Sequence, residues 1–279
     1  MKAEYYLLQD EDKEAQGFHR LTFEQIDDIG FSILDNVLSG EVIDDSWIPI
    51  RSILYRLLEL NDTLSVLIAN SVVSTAFPIT RYEFELLLQL SFMLSDSETL
   101  SEKSMMYYYC DVRQRFAPHD KELLIDHMTN SKLFSELHTR VLAIKGNERM
   151  SWYSLYENRK ITLKGLSEIV GLDKQYLQLY PHLSSDIHGS SCLEANTKCF
   201  EDGGKYYLRH FRLFERHHTV MTQHIDFMRR VFKLFPKVFD VSQELEDKID
   251  DFYTRADGYV ETYKSIKNSA IDPLADFAM

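Results

Sequence analysis

Three side chains that can take part in proton transfer follow one another at helical spacing in the second half of the chain. Tyr180, Ser184 and His188 stand four residues apart, so a helix that carries them presents all three polar groups on one face. Leu177 and Ile187 lie beside them, and this mixture predicts a partly buried face. Because buried polar groups need partners, other polar side chains are expected to meet this face.

Arg81 and Glu85, on an earlier predicted helix, are the partners that the sequence offers. The five residues have two interpretations. In the first they form a structural network that fixes the register of two helices, because inward-facing histidines usually serve packing and hydrogen bonding. In the second, His188 acts as a general acid or base and Arg81 holds an anion by its charge.

Two segments, TRYEFELLLQLSFML and LSEIVGLDKQYLQLYPHLSSDIHGS, resemble a bacterial family that is catalogued only as a domain of unknown function. Its members pair an Arg-x-x-x-Glu helix with a Tyr-x-x-x-Ser-x-x-x-His-Gly helix, and the similarity covers roughly residues 25–235. The resemblance implies an all-helical fold and a shared site, without a reaction. Pro181 departs from the family pattern and predicts a kink beside Tyr180. The matching positions are Arg81, Glu85, Tyr180, Ser184, His188 and Gly189.

Two arginine–histidine pairs, Arg113 with His119 and Arg212 with His217, have a spacing of five or six residues. The spacing resembles that of helical ribonucleases and toxins of the higher-eukaryote-and-prokaryote nucleotide-binding (HEPN) class, in which the pair acts on the RNA 2′-hydroxyl and phosphate. Positions five apart on a helix point about 140° away from each other, so Arg212 and His217 converge poorly. Pro118 breaks the earlier helix and lets His119 turn back toward Arg113. The alternative to a nuclease site is a solvated helix face.

A basic segment lies within an otherwise acidic chain. Residues 205–237 hold eight basic and two acidic side chains, while the whole chain has a net charge of -13. The basic residues form a helical stripe that is predicted either to follow a nucleic-acid backbone or to pack against the protein's own acidic helices. The stripe comprises Arg209, Arg212, Arg216, Arg230, Lys233 and Lys237.

Patterns typical of metal or cofactor sites are missing from the sequence. It contains no HExxH, no Gly-rich phosphate loop and no GxSxG elbow. His210, His217 and His224 recur every seven residues, which places neighbours about 10 Å apart on a helix, too far to share a metal. No cofactor and no metal ion are therefore expected. The cysteines form no CxxC pair and are expected to be ordinary thiols; they are Cys110, Cys192 and Cys199.

Helices must position all of these residues. Capping and breaking residues predict a first helix from Thr22 to Gly40, two helices separated near Asn61 and Asp62, and a helix capped by Thr80 with Glu83 at the reciprocal position. A short helix from Thr162 to Gly171 should precede one from Asp173 to Gly189. Residues 189–204 have the composition of a loop or hairpin, and two long helices are predicted after them, the first from Leu208 onward.

Composition supports an all-α multi-helix bundle ending in two long helices. The chain of 279 residues holds 44% hydrophobic residues but only 10 Gly and 6 Pro, so it can bury a full core and lacks the punctuation of turn-rich β folds. Charge divides it into an acidic N-terminal segment (1–20), a helical-bundle domain (21–237), and an acidic C-terminal helix and tail (238–279).

The sequence therefore leaves two functions open. One is a cytoplasmic bacterial effector of nuclease-like helical fold that cleaves RNA or a nucleotide without a metal ion, in stress or phage defence. The other is a non-catalytic helical module that binds a partner protein. The acidic N-terminus has no signal-peptide pattern, so no membrane association is expected. A homodimer is compatible with both functions.

Overall fold

The computed structural model describes residues 10–38, 45–70, 72, 75–116, 132–187, 200–202, 205–207 and 217–268. Within these ranges a 3₁₀ turn, Asp45–Trp47, precedes the second helix, and two strands, β1 (Phe200–Asp202) and β2 (Lys205–Tyr207), form a short antiparallel hairpin. The predicted all-α multi-helix fold is confirmed. The described ranges contain ten α-helices, which are α1 (Asp10–Asn36), α2 (Ile48–Ala69), α3 (Ala76–Met93), α4 (Leu100–Phe116), α5 (Lys132–Leu142), α6 (Trp152–Tyr156), α7 (Leu163–Ile169), α8 (Asp173–Ile187), α9 (His217–Phe232) and α10 (Gln243–Asn268).

Five of the longer helices form a closed ring around the main hydrophobic core. In the series α1, α2, α3, α9 and α10, each helix contacts the next, and α10 returns to α1. Apolar side chains at helical spacing fill the ring, with Phe84 of α3 and Phe227 of α9 at a centroid distance of 5.3 Å. α3 also contacts α7 and α8. This helix therefore joins the core to the segment that carries the Tyr-Ser-His pattern.

The first helix begins earlier than the sequence predicted. α1 begins at Asp10 rather than at Thr22, and the Thr22 hydroxyl donates to the Phe18 carbonyl oxygen at 3.0 Å instead of capping the helix. Phe18 stacks on Tyr259 of α10 with centroids 5.2 Å apart. Contacts with α10 stabilise the added turns, which local capping rules do not take into account.

α2 is one continuous helix where two were predicted. The break was expected at Asn61 because asparagine side chains compete with the helix backbone for hydrogen bonds. Here the Asn61 amide donates instead to the Phe23 carbonyl oxygen at 3.2 Å and to Asp27 at 2.8 Å, both on α1. The side chain is satisfied across the interface between the two helices, so the helix continues.

α3 begins at Ala76, one turn before the predicted cap. The Thr80 hydroxyl donates back to the Ala76 carbonyl oxygen at 3.0 Å, and Pro78 lies in the first turn, where its missing N–H is not needed. Glu83 was predicted to complete a capping box with Thr80. It is instead a fully buried residue of the helix interior.

The helices before the hairpin follow the sequence pattern. Thr162 caps α7 by accepting from the Gly165 amide at 3.1 Å, and Gly171, with φ +72°, lies in the turn before α8. α8 begins at Asp173 and runs through Pro181 to Ile187. The predicted end at Gly189 lies outside the described residues, as does the predicted first-helix end at Gly40.

The C-terminal part contains the expected hairpin and two long helices. β1 and β2 pair between Phe200 and Tyr207, so the hairpin extends beyond the predicted range. α9 begins at His217, and the predicted earlier part of that helix, residues 208–216, lies outside the described residues. The predicted domain boundary after residue 20 falls within α1, and α10 contacts both α1 and α9. No described helix combines the length and apolar composition needed to cross a lipid bilayer.

Two glycines of α1 provide a test of the interface between α1 and α2. A Cβ at Gly30 would overlap the buried side chain of Leu58, whereas a Cβ at Gly17 meets no atom within 4 Å. We expect Gly17→Ala to raise the free energy of unfolding by up to about 1 kcal/mol, through helix propensity. Gly30→Ala should lower it by about 1–2 kcal/mol, because the packed core must shift. Urea unfolding of both variants measures the difference, and equal stabilities would contradict the close approach.

Candidate functional site

The Arg-x-x-x-Glu pattern of α3 and the tyrosine of α8 meet where the two helices contact. Arg81 and Glu85 lie one turn apart on α3, and their side chains are 18% and 28% exposed. Tyr180 lies on α8, 95 residues further along the chain than Glu85. We call Arg81, Glu85 and Tyr180 the α3–α8 cluster. The side chains of Arg81 and Glu85 are therefore neither fully buried nor fully exposed.

The tyrosine hydroxyl bridges the two charged groups. Arg81 Nη2 donates to the Tyr180 hydroxyl at 2.5 Å, and that hydroxyl donates to Glu85 Oε1 at 3.1 Å. Arg81 Nε also lies 3.1 Å from Glu85 Oε1. The Arg81 guanidinium carbon is 4.7 Å from the centre of the Tyr180 ring, which itself stacks on Tyr176 at 4.8 Å. The cluster therefore holds its guanidinium in one place by charge, hydrogen bonds and ring contacts.

Tyr180 is held as a neutral hydroxyl. Burial raises the pKa of Tyr180 above its ordinary value of 10, and the nearby Glu85 carboxylate adds to this, while the hydrogen bond from Arg81 acts in the opposite direction. A protonated phenol can both donate and accept a hydrogen bond. The cluster thus places a guanidinium, a carboxyl group and a protonated hydroxyl side by side.

The three remaining residues of the pattern, Ser184, His188 and Gly189, lie largely outside the described residues. Ser184 lies on α8 one helical turn after Tyr180, and this spacing places it on the same face of the helix. Its side chain and all of His188 lie outside the described residues, as does Gly189. The predicted roles of Ser184 and His188 therefore stay predictions.

Of the first arginine–histidine pair, only the arginine lies within the described residues. His119 lies outside the described residues, while Arg113 of α4 donates to the Asn147 side chain at 2.6 Å. Arg113 also influences His138, whose pKa is lowered first by burial and then by the arginine charge. The His138 Nδ1 atom is 2.9 Å from the Tyr109 hydroxyl. The proximity of His138 to Arg113 could not be predicted from the sequence, because no local spacing links α4 to α5.

The second arginine–histidine pair and the basic stripe also lie only partly within the described residues. Arg209, Arg212 and Arg216 lie outside the described residues, and His217 is fully buried. Arg230 contacts Asp226 of its own helix at 2.8 Å, and Lys233 contacts Asp250 of α10. Arg230 and Lys233 are thus paired with acidic groups of the protein itself. Binding of nucleic acid by Arg209, Arg212, Arg216, Arg230 and Lys233 stays a prediction.

A chain of buried polar side chains, which the residue spacing did not predict, crosses the core. His224 of α9 lies with Nδ1 2.8 Å from Glu83 Oε1 and Nε2 2.7 Å from Asn61 Oδ1, and all three residues are fully buried. Asn61 continues the chain to Asp27. Burial raises the pKa of Asp27, while the hydrogen bond from Asn61 opposes that shift. The sequence positions of Glu83, Asn61 and His224 could have indicated their burial, because each of them interrupts an apolar stripe at helical spacing.

Neither a metal site nor a reactive thiol is found in the described part of the chain. There, no group of three His, Cys, Asp or Glu side chains could hold a metal ion. Cys110 is buried, and burial raises the pKa of its thiol to about 12, so little thiolate forms near neutral pH. Cys192 and Cys199 lie outside the described residues.

Comparison with known proteins gives one result. The model of a family described as "Family of unknown function (DUF5677)" matches residues 48–205, which include α3 and α8. No curated protein and no solved structure matches the chain. The predicted likeness to a family of unknown function is confirmed. The likeness to the HEPN class is not supported by these matches and stays a prediction.

Proposed function

The chain belongs to this family of unknown function, and from that premise we propose that it cleaves RNA or a nucleotide by acid–base chemistry without a metal ion. The setting we propose is the bacterial cytoplasm, where the protein would act as an effector of stress or phage defence. The matched region carries the complete Arg-x-x-x-Glu and Tyr-x-x-x-Ser-x-x-x-His-Gly patterns. We therefore locate the activity at the α3–α8 cluster together with Ser184 and His188.

The observation that carries this proposal is the meeting of Arg81, Tyr180 and Glu85 at a partly open position. A guanidinium has five N–H donors in a planar fork, and at Arg81 the contacts to Tyr180 and Glu85 use only part of them. The remaining donors suit the non-bridging oxygens of a phosphate. The Glu85 carboxylate and the Tyr180 hydroxyl keep the guanidinium in position before the substrate arrives.

The reaction requires one base and one acid. The base takes the proton of an RNA 2′-hydroxyl, the 2′-oxygen attacks the adjacent phosphorus, the bond to the 5′-oxygen breaks, and the acid returns a proton to that oxygen. We assign His188 to proton transfer and Arg81 to the negative charge that grows on the phosphate. Tyr180 and Ser184 contribute hydroxyl groups from the same helix face. The products are a 2′,3′-cyclic phosphate and a free 5′-hydroxyl.

The competing function, a protein-binding module, is favoured by one observation. Arg81, Tyr180 and Glu85 contact one another, as the members of a network that only fixes helix register would also do. In that case the cluster would stabilise the bundle, and a partner protein would bind elsewhere. Stability and activity must therefore be measured on the same variants.

Substitutions at His188 and Arg81 separate the two functions. We expect the full-length protein to cleave a short RNA in the presence of a chelator and to leave cyclic phosphate ends. His188→Gln should lower the cleavage rate at least about tenfold with little change in melting temperature, because the chemistry needs a titrating group. Arg81→Lys, which keeps the charge but not the fork, should also lower the rate at least about tenfold. Cleavage products resolved on a denaturing gel, together with thermal unfolding, provide both measurements.

Arg20 supplies the matched control. It forms an exposed i,i+4 pair with Glu24, at 3.7 Å, on α1, so Arg20→Ala removes an arginine–glutamate pair without touching the cluster. Its cleavage rate and melting temperature should match those of the unaltered protein. If His188→Ala and Arg81→Ala are destabilised by roughly 1–3 kcal/mol while any cleavage persists in the folded fraction, the cluster is structural and the proposal fails.

A further inference from the structure

A cleft with an unusual lining opens between α2, α3 and α4. It has a volume of about 650 Å³ and, among the described residues, a floor that includes the buried Ile53 and Leu86. Clefts of this size accommodate small molecules. Its walls carry three arginines and three tyrosines: Arg51, Arg56, Arg115, Tyr55, Tyr82 and Tyr107. We call it the Arg–Tyr cleft.

The charge of this cleft is opposite to that of the protein. Of the residues that the structure describes, three arginines and one acidic residue, Glu59, line it, whereas the whole chain has a net charge of -13. An acidic protein repels anions in general, so a local group of guanidiniums is the feature that can draw an anion to one place. The cleft therefore favours a ligand with negative charge.

The arginines of the cleft are available to such a ligand. Arg56 pairs with Glu59 at 2.8 Å, and both side chains are nearly half exposed. Arg115 pairs with Asp111 at 3.0 Å, with the arginine side chain 70% exposed. Exposed ion pairs of this kind contribute little to stability, so a phosphate can replace the carboxylates at small cost. Arg51 is held by the Leu38 carbonyl oxygen at 2.6 Å, which fixes the third guanidinium at the edge of the cleft.

The exposed tyrosines of the cleft indicate that the ligand also has a group that packs against aromatic rings. Tyr55 and Tyr82 are 53% and 40% exposed, unusually open for large aromatic side chains. The Arg56 guanidinium lies 5.7 Å from the centre of the Tyr82 ring. A planar group that stacks on tyrosine, linked to phosphate that meets arginine, satisfies both halves of this lining. Nucleotides combine these two groups.

We propose that the Arg–Tyr cleft binds a nucleotide, with its phosphates on Arg56 and Arg115 and its base stacked on Tyr82. Free nucleoside triphosphates and the units of a single-stranded RNA share this chemistry, and the test distinguishes them. The cleft is separate from the α3–α8 cluster, because Arg81 contacts α8 while its neighbour Tyr82 lines the cleft. Binding here does not rest on the proposed cleavage and can be measured in its absence.

Three probes test the assignment in calorimetric titrations of the full-length protein: ATP, tripolyphosphate and a short oligoribonucleotide. The Arg56→Ala/Arg115→Ala double variant should weaken binding of both ATP and tripolyphosphate at least about tenfold. Tyr82→Ala should weaken ATP binding at least about fivefold and leave tripolyphosphate within about twofold, because only ATP has a base to stack. The substituted side chains are exposed, and circular dichroism checks that each variant folds.

Arg255→Ala is the matched control. Arg255 forms an exposed i,i+4 pair with Asp251 on α10, 2.9 Å apart, outside the cleft, and its loss should leave all affinities within about twofold. If only the oligoribonucleotide binds, and binds with the same dependence on Arg56, Arg115 and Tyr82, the ligand is a strand and the assignment holds. The assignment is overturned if neither ATP nor the oligoribonucleotide binds, or if their binding is indifferent to these substitutions.

Discussion

Replacement of His224 by alanine is expected to lower the free energy of unfolding by about 3–5 kcal/mol. His224 lies fully buried between Glu83 and Asn61. Its removal leaves a buried acidic group without its partner and opens a cavity in the centre of the ring of helices. Denaturant unfolding followed by circular dichroism measures the loss.

The hydrogen-bond geometry explains why this site is sensitive. The Asn61 amide nitrogen donates to Phe23 and Asp27, so its oxygen accepts the hydrogen bond that His224 Nε2–H donates. A second proton then lies between His224 Nδ1 and Glu83 Oε1, which are 2.8 Å apart. Glu83 Oε2 has no hydrogen-bond partner among the described residues. The glutamate therefore depends on the histidine for its hydrogen bonding.

A double-mutant cycle separates this coupling from the loss of packing. Glu83→Leu combined with His224→Leu should be less destabilising than the sum of the two single variants by about 2 kcal/mol, because no unpaired polar partner of the pair remains buried. His218→Ala, on the exposed side of the same helix, is the control and should change stability by less than about 0.5 kcal/mol. Additive single effects would show that Glu83 and His224 act independently.

The stability of the protein is also expected to fall in mild acid because of a second buried histidine. His19 is 1% exposed, and its Nδ1 lies 2.8 Å from the Tyr259 hydroxyl. Burial, and to a smaller extent the charge of His218, lowers the pKa of His19 from 6.5 to about 4. The folded protein therefore keeps this ring neutral over a pH range in which the unfolded chain protonates it.

The direction of the effect follows from proton uptake. Between pH 6.5 and 4 the unfolded state binds the additional proton, so acid favours unfolding and stability rises with pH. At pH 4.5 the contribution of His19 should be roughly 2.5 kcal/mol less favourable than at pH 7.5, given a pKa of about 4 in the folded state. Above pH 7 the contribution should be constant.

The His19→Asn variant isolates the contribution of His19 to the pH dependence of stability. The asparagine amide can reach the position of the histidine Nδ1 and bind the Tyr259 hydroxyl, but it does not titrate. The unfolding free energies of the protein and the variant should run parallel above pH 7, and the protein should lose roughly 2.5 kcal/mol more than the variant as the pH falls to 4.5. Subtracting the two curves removes the contributions of other titrating groups, including Asp27. Curves that stay parallel to pH 4.5 would rule out the neutral buried ring.

Helix α3 connects these stability terms with the proposed sites. Arg81 contacts α8, Tyr82 lines the Arg–Tyr cleft, and Glu83 reaches His224 in the core. Successive residues of a helix point about 100° apart, so Arg81, Tyr82 and Glu83 face three different surroundings. The buried pair fixes the rotation of α3, and that rotation determines where Arg81 and Tyr82 lie. Substitution of Glu83 should consequently disturb both surfaces.

The residues of the α3–α8 cluster show how much of the candidate site could be predicted from residue spacing. The four-residue spacing of Arg81 and Glu85, and the position of Tyr180 on a later helix, were readable because helical periodicity converts spacing into a shared face. Their contact was expected, since a polar face turned inward needs partners. The Arg–Tyr cleft could not be predicted from the sequence. Its arginines and tyrosines lie on three different helices, and no sequence interval records how those helices cross.

By itself the sequence determined the class of the fold and much of its helical content, because apolar periodicity and sparse Gly and Pro act locally. Only the tertiary structure decided which polar residues are buried. Asn61 was expected to end a helix and Glu83 to cap one, yet both lie inside continuous helices where they meet His224. Those contacts span 163 and 141 residues of sequence. Local capping propensities, worth about 1 kcal/mol, give way to a buried network whose disruption costs more.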